Sequence, residues 1–250
     1  MEPGEVLTAI TRCPVVARCR SDERHPCYTV VTSQPAERGT FQVPEPWTGH
    51  LDTAPILFVS SNPSIDPAEL YPTPEWTNAE RIDFFRERFD RRRPPWIDHR
   101  MRARRVDPTG QPSRGTAFWL ATRARAAELV VGRPPAPGVD YALTEVVHCK
   151  STNQLGAAEA TPLCVTMWLR LVMRLAAARV VVLMGRQAQK AFLDEYEGLA
   201  PVAFSGPQEL EGRRRIVLQL PHPNARVRRA NCAPLTESQL DTTRVHLRGA

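Results

Sequence analysis

Two proline-containing turns place hydrogen-bonding side chains directly after apolar, strand-like segments. The first is Ser60-Ser61-Asn62-Pro63-Ser64, which follows Ile56–Ser60, and the second is Pro221-His222-Pro223-Asn224-Ala225, which follows Arg215–Leu220. Ligands of an open parallel sheet bind beyond the carboxyl ends of its strands, so an amide and an imidazole at these positions are candidates for chemistry. Taken alone, each turn is more often structural than catalytic, so its role has to be judged together with the elements that surround it.

Alternating strands and helices are predicted around these turns. Four apolar, β-branched segments, each followed by a turn signal, are typical of buried parallel strands: Ile56–Ser60, Tyr141–Val147, Arg179–Met184 and Arg215–Leu220. Helical stretches are predicted at Thr116–Val131, Ala157–Ala177, Arg186–Glu195 and Leu235–Leu247. Strands that alternate with helices favour a parallel sheet covered on both faces. The sequence therefore predicts an α/β fold, a three-layer α/β/α sandwich with a central four-stranded parallel sheet.

A chain of 250 residues fits one domain, which we assign to residues 1–250. Residues 1–50 form a segment with few regular patterns that carries three of the six cysteines. Residues 66–113, rich in proline, arginine and aromatic residues, form a long insertion after the first strand. Loops of that length are usually functional or disordered, so the insertion is a candidate for substrate contacts.

The net charge of +6 is carried almost entirely by arginine, because Lys150 and Lys190 are the only lysines. Arginine bias is often a property of the genome, so the charge alone gives DNA binding little support. Arginine clusters could meet phosphates or form a solvated face: Arg91–Arg93, Arg100–Arg105, and Arg226, Arg228 and Arg229. No apolar run could span a membrane, and the N-terminus lacks a secretory signal. We expect a monomeric, cytoplasmic protein.

The two turns together resemble the active-site motifs of the uracil-DNA glycosylase superfamily. The first is similar to a Gly-x-Asn-Pro-Gly motif, with Ser60 and Ser64 in place of its glycines. The second is similar to a His-Pro-Ser motif, with Asn224 in place of serine. A third stretch, Leu143–Lys150 (LTEVVHCK), resembles the Ile-Thr-Asn-Val-Val-Lys-Cys-Arg strand of the iron–sulfur branch. The resemblance covers residues 55–63 and 140–226 and leaves the long insertion unaccounted for.

This resemblance implies a DNA glycosylase that hydrolyses the bond between a flipped-out base and its sugar. By the same resemblance, Asn62 orients the attacking water and His222 donates a hydrogen bond to O2 of the leaving base. Ser61, Pro63, Ser64 and Asn224 are then expected beside the substrate. The Ala225–Arg229 loop, which follows the His-Pro turn, is the expected wedge, with Arg226, Arg228 and Arg229 on DNA phosphates.

Glu145 stands where the uracil-specific branches have an asparagine that reads O4 and N3–H of uracil. A carboxylate at this position repels O4 but accepts a hydrogen bond from N4 of cytosine. Glu145 therefore indicates either a cytosine-type base or a protonated carboxyl group that mimics the amide. Unmodified cytosine would be a lethal substrate, so a C5 substituent is expected to restrict the enzyme. A phage-defence branch of the superfamily acts on hypermodified cytosines such as glucosylated 5-hydroxymethylcytosine, and this chain is compatible with it.

The long insertion could then line a sugar-sized extension of the pocket, with Tyr71, Trp76 or Phe84 stacked on the base. If the protein is a DNA glycosylase, the alternative substrate is uracil, as in base excision repair. If it is not an enzyme, the alternative is a nucleic-acid-binding module without catalytic activity, because serines replace the glycines of the motif.

The cysteines are expected to be thiols or metal ligands rather than disulfides. Cys149 and Cys164 correspond to two ligands of the iron–sulfur branch, whose 4Fe-4S clusters are held by four thiolates. Cys13 and Cys19, or less readily Cys27, would supply the other pair. The alternative is that these residues are ordinary buried cysteines, which is our interpretation of Cys232.

Overall fold

The computed structural model of the chain describes residues 1–34, 40–90, 95–223, 225 and 232–249. The strands are β1 (Ile56–Ser60), β2 (Arg105–Val106), β3 (Pro112–Ser113), β4 (Tyr141–Glu145), β5 (Val180–Met184), β6 (Phe204–Leu210) and β7 (Arg213–Leu220). The helices are α1 (Pro3–Thr11), α2 (Pro14–Cys19), α3 (Tyr28–Thr32), α4 (Asn78–Glu87), α5 (Ala117–Leu129), α6 (Ala157–Cys164), α7 (Arg170–Leu175), α8 (Arg186–Glu195) and α9 (Glu237–Arg248). A 3-10 turn covers Thr152–Gln154, and a π-helical turn, Val165–Leu169, joins α6 to α7.

The central sheet has the strand order β4-β1-β5-β7-β6. Its first four strands are the four that the sequence predicts, and neighbouring pairs among them run parallel. Every residue of β1, β4 and β5 is buried, as expected for parallel strands covered on both faces. The register pairs Ser60 with Glu145, so the carboxyl ends of β1 and β4 lie side by side.

Alternate strand residues supply two separate cores. Leu57, Val181 and Val217 face the core shared with α1, α4, α7 and α8. Ile56, Val180 and Ile216 face the opposite core, which contains residues of α5 and α9. The predicted three-layer α/β/α fold is therefore confirmed.

The structure adds elements that the sequence patterns do not predict. The fifth strand, β6, pairs antiparallel with β7 at the sheet edge. Residues 1–50 contain α1, α2 and α3, and the long insertion contains α4 and the β2–β3 ribbon. The helix predicted over Ala157–Ala177 is interrupted by the π-helical turn. No helix in the described ranges has the length and apolar character needed to cross a membrane.

Candidate active site

One cavity of about 640 Å³ lies at the carboxyl ends of the parallel strands. Asn62 reaches it from the turn after β1, Glu145 from the last residue of β4, and His222 from the turn after β7. These three side chains, separated by up to 160 positions in the chain, therefore share one site. Their convergence follows from the strand order, which sets β1 between β4 and β5 and places β7 next to β5.

The side-chain amide of Asn62 is held in one orientation. Its Nδ2 donates to Ser151 Oγ at 2.9 Å, to the Pro63 carbonyl at 3.2 Å and to the Cys149 carbonyl at 3.4 Å. Because two of these partners are carbonyl oxygens, the atom facing them must be the amide nitrogen. The carbonyl oxygen, Oδ1, is buried and has no hydrogen-bond partner among the described residues. The amide is therefore oriented with an unused acceptor.

The same loops lock the Asn-Pro turn to the segment after β4. The backbone N–H of Ser151 donates to the Pro63 carbonyl at 3.1 Å, and Ser64 and Ser151 form a parallel bridge. Sheet-like pairing also continues past β4, because Val146 and Val147 donate to the carbonyls of Ser60 and Ser61. The position of Asn62 is thus fixed by backbone hydrogen bonds on both sides.

His222 is half-buried beside the ring of Phe118, with ring centroids 5.7 Å apart. Burial and the nearby Arg125 guanidinium lower the pKa of His222, so the imidazole is neutral near pH 7. Arg125 also donates a hydrogen bond to the Pro221 carbonyl at 2.6 Å, which links the turn to helix α5. Gly185, after β5, permits the close approach of the turn, because a Cβ there would lie 3.0 Å from the Cβ of His222.

Glu145 is buried, with 6% of its surface exposed. Ser60 Oγ donates to its Oε1 at 3.4 Å, and its Oε2 has no hydrogen-bond partner in the described part of the chain. Burial, and then the negative charge of Glu45, raises the pKa of Glu145 well above its ordinary range.

A buried network of four charged residues forms the cavity wall next to Glu145. Glu45, Glu69, Arg88 and Lys150 are its members, and all four line the cavity. Arg88 Nη2 lies 2.8 Å from Glu45 Oε1, and Lys150 Nζ lies 4.0 Å from Glu45 Oε2 and 3.9 Å from Glu69 Oε2. No motif in the sequence predicts this network. The one available signal is Glu45 itself, a carboxylate between two prolines in an otherwise apolar segment.

The structure places Tyr71 behind the cavity wall, where it does not line the cavity. Its ring packs edge-on against Phe84 and Phe85, the Lys150 ammonium lies 3.5 Å from its centroid, and its hydroxyl donates to Glu45 at 2.9 Å. Trp76 and Phe84 belong to the same cluster. Tyr71, Trp76 and Phe84 therefore lie outside the lining of the cavity, whose aromatic residues in the described ranges are Phe118 and Trp119.

The other predicted site residues divide into three groups. Pro63 and Ser64 line the cavity, whereas Ser61 is buried beside it with its hydroxyl unpaired among the described residues. Asn224, Arg226, Arg228 and Arg229 lie outside the described residues, as do Arg91–Arg93. The intervening Ala225 does line the cavity, so the loop predicted to act as a wedge begins at its rim.

A second, smaller cavity brings cysteines together. Cys13, Cys27, Cys149 and Cys164 line it. Cys19 does not, and its thiol donates to the Val16 carbonyl at 3.4 Å. Burial raises the pKa of Cys27 to about 11 and that of Cys164 to about 12. All the cysteines are free thiols, and no group of three or more His, Cys, Asp or Glu side chains in the described ranges is arranged to hold a single metal ion.

Comparison with known proteins gives one family match. The family model described as "Uracil DNA glycosylase superfamily" matches residues 46–241. The matched range contains Asn62, Glu145 and His222, and it leaves out helices α1 to α3 with Cys13 and Cys27. No curated protein matches the chain.

Proposed function

Because the chain belongs to the uracil-DNA glycosylase superfamily, whose members are DNA glycosylases, we propose that it hydrolyses the N-glycosidic bond of a flipped-out pyrimidine to leave an abasic site. One observation carries the proposal: Asn62, Glu145 and His222 line a single cavity at the carboxyl end of the sheet. The oriented amide of Asn62 leaves its carbonyl oxygen without a hydrogen-bond partner among the described residues of that site.

Cleavage of the bond builds positive charge on the sugar and negative charge on the base. Asn62 Oδ1 accepts a hydrogen bond from water and so aims the oxygen of that water at the sugar carbon. An amide is a poor base, so the water loses its proton late, to bulk solvent. His222 donates an N–H to the developing anion at O2 of the base. A neutral imidazole retains one N–H for this purpose, so the lowered pKa of His222 is compatible with its role.

The favoured substrate is a cytosine that carries a C5 substituent, such as glucosylated 5-hydroxymethylcytosine in phage DNA. The cavity of about 640 Å³ is within the range of pockets that hold drug-sized ligands, roughly 300–1,000 Å³, and so leaves room beyond a pyrimidine ring. Its wall next to Glu145 presents the carboxylates of Glu45 and Glu69 and the guanidinium of Arg88. Charged donors and acceptors of this kind suit the hydroxyl groups of a sugar. The biological role consistent with this substrate is defence against phages.

The proposal is tested with oligonucleotides that each contain one defined base: cytosine, 5-hydroxymethylcytosine, its glucosylated form, or uracil. Strand cleavage after alkali reports the abasic product. We expect cleavage at the glucosylated base, and we expect Asn62→Ala to abolish cleavage while DNA binding is retained. Ready release of uracil with the glucosylated base untouched would instead indicate a uracil-DNA glycosylase. DNA binding without release of any base would indicate a binding module.

We also propose that the chain holds a 4Fe-4S cluster through Cys13, Cys27, Cys149 and Cys164. These four thiols line one small cavity of about 10 Å³, and four thiolates are the ligand set that holds such a cluster. The cluster would be held by one thiolate from each of the four residues, which is a different requirement from the binding of a single metal ion. The cluster would tie helices α2 and α3 to the segment after β4. It would supply structural linkage.

This ligand set replaces Cys19 with Cys27 and is tested by a matched pair of variants. Cys27→Ser is expected to lose bound iron and the visible absorbance of the cluster. Cys19→Ser is expected to retain both. The reverse result would restore Cys19 as the ligand, and purified protein without iron or colour would remove the cluster from the proposal.

A further inference from the structure

Three buried carboxyl groups and two buried cations meet at the base of the cavity. Glu45, Glu69 and Glu145 are the acids, and Arg88 and Lys150 are the cations. Each cation lies within 4.0 Å of both Glu45 and Glu69. Glu145, in contrast, has no ion pair within the described part of the chain, and its one hydrogen bond comes from the hydroxyl of Ser60. Two positive charges therefore already balance two negative charges, and Glu145 is the acid left over.

We propose that Glu145 works as a neutral carboxylic acid that reads the edge of the flipped base with one donor and one acceptor. This inference rests on the proposed glycosylase function and makes Glu145 the residue that recognises the hydrogen-bonding edge of the pyrimidine. The two oxygens are already different, because Oε1 accepts from Ser60 at 3.4 Å while Oε2 is buried and unpaired among the described residues. A proton on Oε2 turns the unpaired atom into a donor for the substrate.

The charged groups around Glu145 come from every element that packs against it. They are Glu45 from the segment before β1, Arg88 after α4, Lys150 after β4, and Glu69 in the long insertion, with the neutral His222 across the cavity. Burial and the carboxylate of Glu45 disfavour ionisation of Glu145, whereas Arg88, Lys150 and the Ser60 hydroxyl oppose them to a smaller extent. The balance of these effects raises the pKa of Glu145, in agreement with the charge count.

A neutral acid fits a cytosine edge better than a carboxylate does. Cytosine presents an N4 amino donor next to the N3 acceptor, so a carboxylate that accepts from N4 directs its other oxygen at the N3 lone pair. A carboxylic acid accepts from N4 with its carbonyl and donates to N3 with its hydroxyl. With the two roles exchanged, the same group also matches O4 and N3–H of uracil. Glu145 therefore reads a pyrimidine edge, and selection of a modified base must come from the C5 side of the cavity.

The first test compares wild type with Glu145→Gln on the base that the oligonucleotide panel shows to be released. Glutamine keeps a donor and an acceptor of similar shape but cannot ionise. The single-turnover rate of the wild type is expected to fall as pH rises through the titration of Glu145, by up to tenfold per pH unit. The rate of the glutamine variant is expected to show no such fall with pH. A glutamine variant whose rate falls with pH as the wild-type rate does would overturn the proposal.

The second test needs no substrate, so it separates failure of this inference from failure of the proposed function. A carboxyl group whose pKa is raised on folding stabilises the fold below its ordinary value of 4.5 and loses that contribution as pH rises toward its folded value. The unfolding equilibrium constant of the wild type should therefore grow by up to tenfold per pH unit above that of Glu145→Gln. The comparison runs from about pH 5 to pH 8, the range in which most proteins are most stable. If the free energies of unfolding of the two proteins change in parallel over this range, Glu145 is ionised in the folded protein.

Discussion

Gly185→Ala is expected to disable the site through His222 without changing any proposed catalytic residue. Gly185 lies between β5 and α8 with φ +90° and ψ 163°, a backbone conformation that is essentially restricted to glycine. A Cβ at this position would lie 3.0 Å from His222 Cβ and 3.5 Å from its Cδ2. Ordinary carbon contacts are about 3.5–4.0 Å, so the His-Pro turn must move by roughly half an ångström to one ångström.

Gly185→Ala should have two separate effects, one on stability and one on the rate of base release. The unfavourable backbone conformation should lower the free energy of unfolding by about 1–3 kcal/mol. The displacement of His222 should lower the rate of base release separately, since a misplacement of about 1 Å costs up to about 100-fold. We expect a 10- to 100-fold slower single-turnover reaction, measured as alkali-cleaved product at a temperature where the variant is folded.

Gly198→Ala is the matched control. Gly198 also has a positive φ, +89°, but nothing lies within 4 Å of a Cβ built there. It should therefore show a comparable loss of stability in urea titrations and an unchanged rate. If Gly185→Ala retains the wild-type rate, or if both variants lose rate equally, His222 does not act through the position that Gly185 permits.

Three further predictions concern the groups around the cavity. Ser151→Ala removes one of the three acceptors of the Asn62 amide, so we expect the rate of base release to fall by about tenfold or less. DNA affinity, measured by fluorescence anisotropy, should be unchanged, and full inactivation would contradict the backbone anchoring of Asn62. Arg88→Met leaves Lys150 as the one cation beside Glu45 and Glu69, so the free energy of unfolding measured in urea should fall by about 3–5 kcal/mol. A loss under about 1 kcal/mol would mean that the ion pairs of Arg88 are solvated. Glu45→Gln removes the negative charge that most disfavours ionisation of Glu145. The rate of this variant should therefore begin to fall at a lower pH than the wild-type rate does, and identical pH profiles would contradict the coupling of the two carboxyl groups.

The parallel core of the sheet can be predicted from sequence because its strands are buried on both faces. Such strands are continuous apolar runs, and the bounds predicted for the first strand, Ile56–Ser60, are those observed. The edge strand β6 gives no such signal, because it alternates in burial and contains Gly206 and Pro207. Its pairing is set by a two-residue turn, Glu211–Gly212, with φ +50° and +72°. Glutamate is uncommon in such turns, so the sequence does not indicate the hairpin.

Asn62, Glu145 and His222 were predictable, because Asn62 and His222 follow the carboxyl ends of predicted strands and the segment that contains Glu145 resembles a superfamily motif. The buried charge network was not, because Glu45 and Arg88 are 43 positions apart and their contact depends on how the long insertion folds back onto the sheet. Tyr71 shows the same difficulty. An aromatic residue in a long insertion is a reasonable candidate for stacking on a base, yet burial against Phe84 and Phe85 gives it a structural environment.

The serines that depart from the superfamily motif have partners of their own in this chain. Ser60 replaces a motif glycine and donates to Glu145, which replaces the asparagine of the uracil-specific branches. Ser64 replaces the second glycine and forms the backbone bridge to Ser151, whose hydroxyl orients Asn62. The contact between Ser60 and Glu145 agrees with the proposed role of Glu145 at the base edge, whereas the bridge of Ser64 uses only backbone atoms and would also form with glycine. A Ser60→Gly variant with a changed pH profile would connect the substitutions at positions 60 and 145 directly.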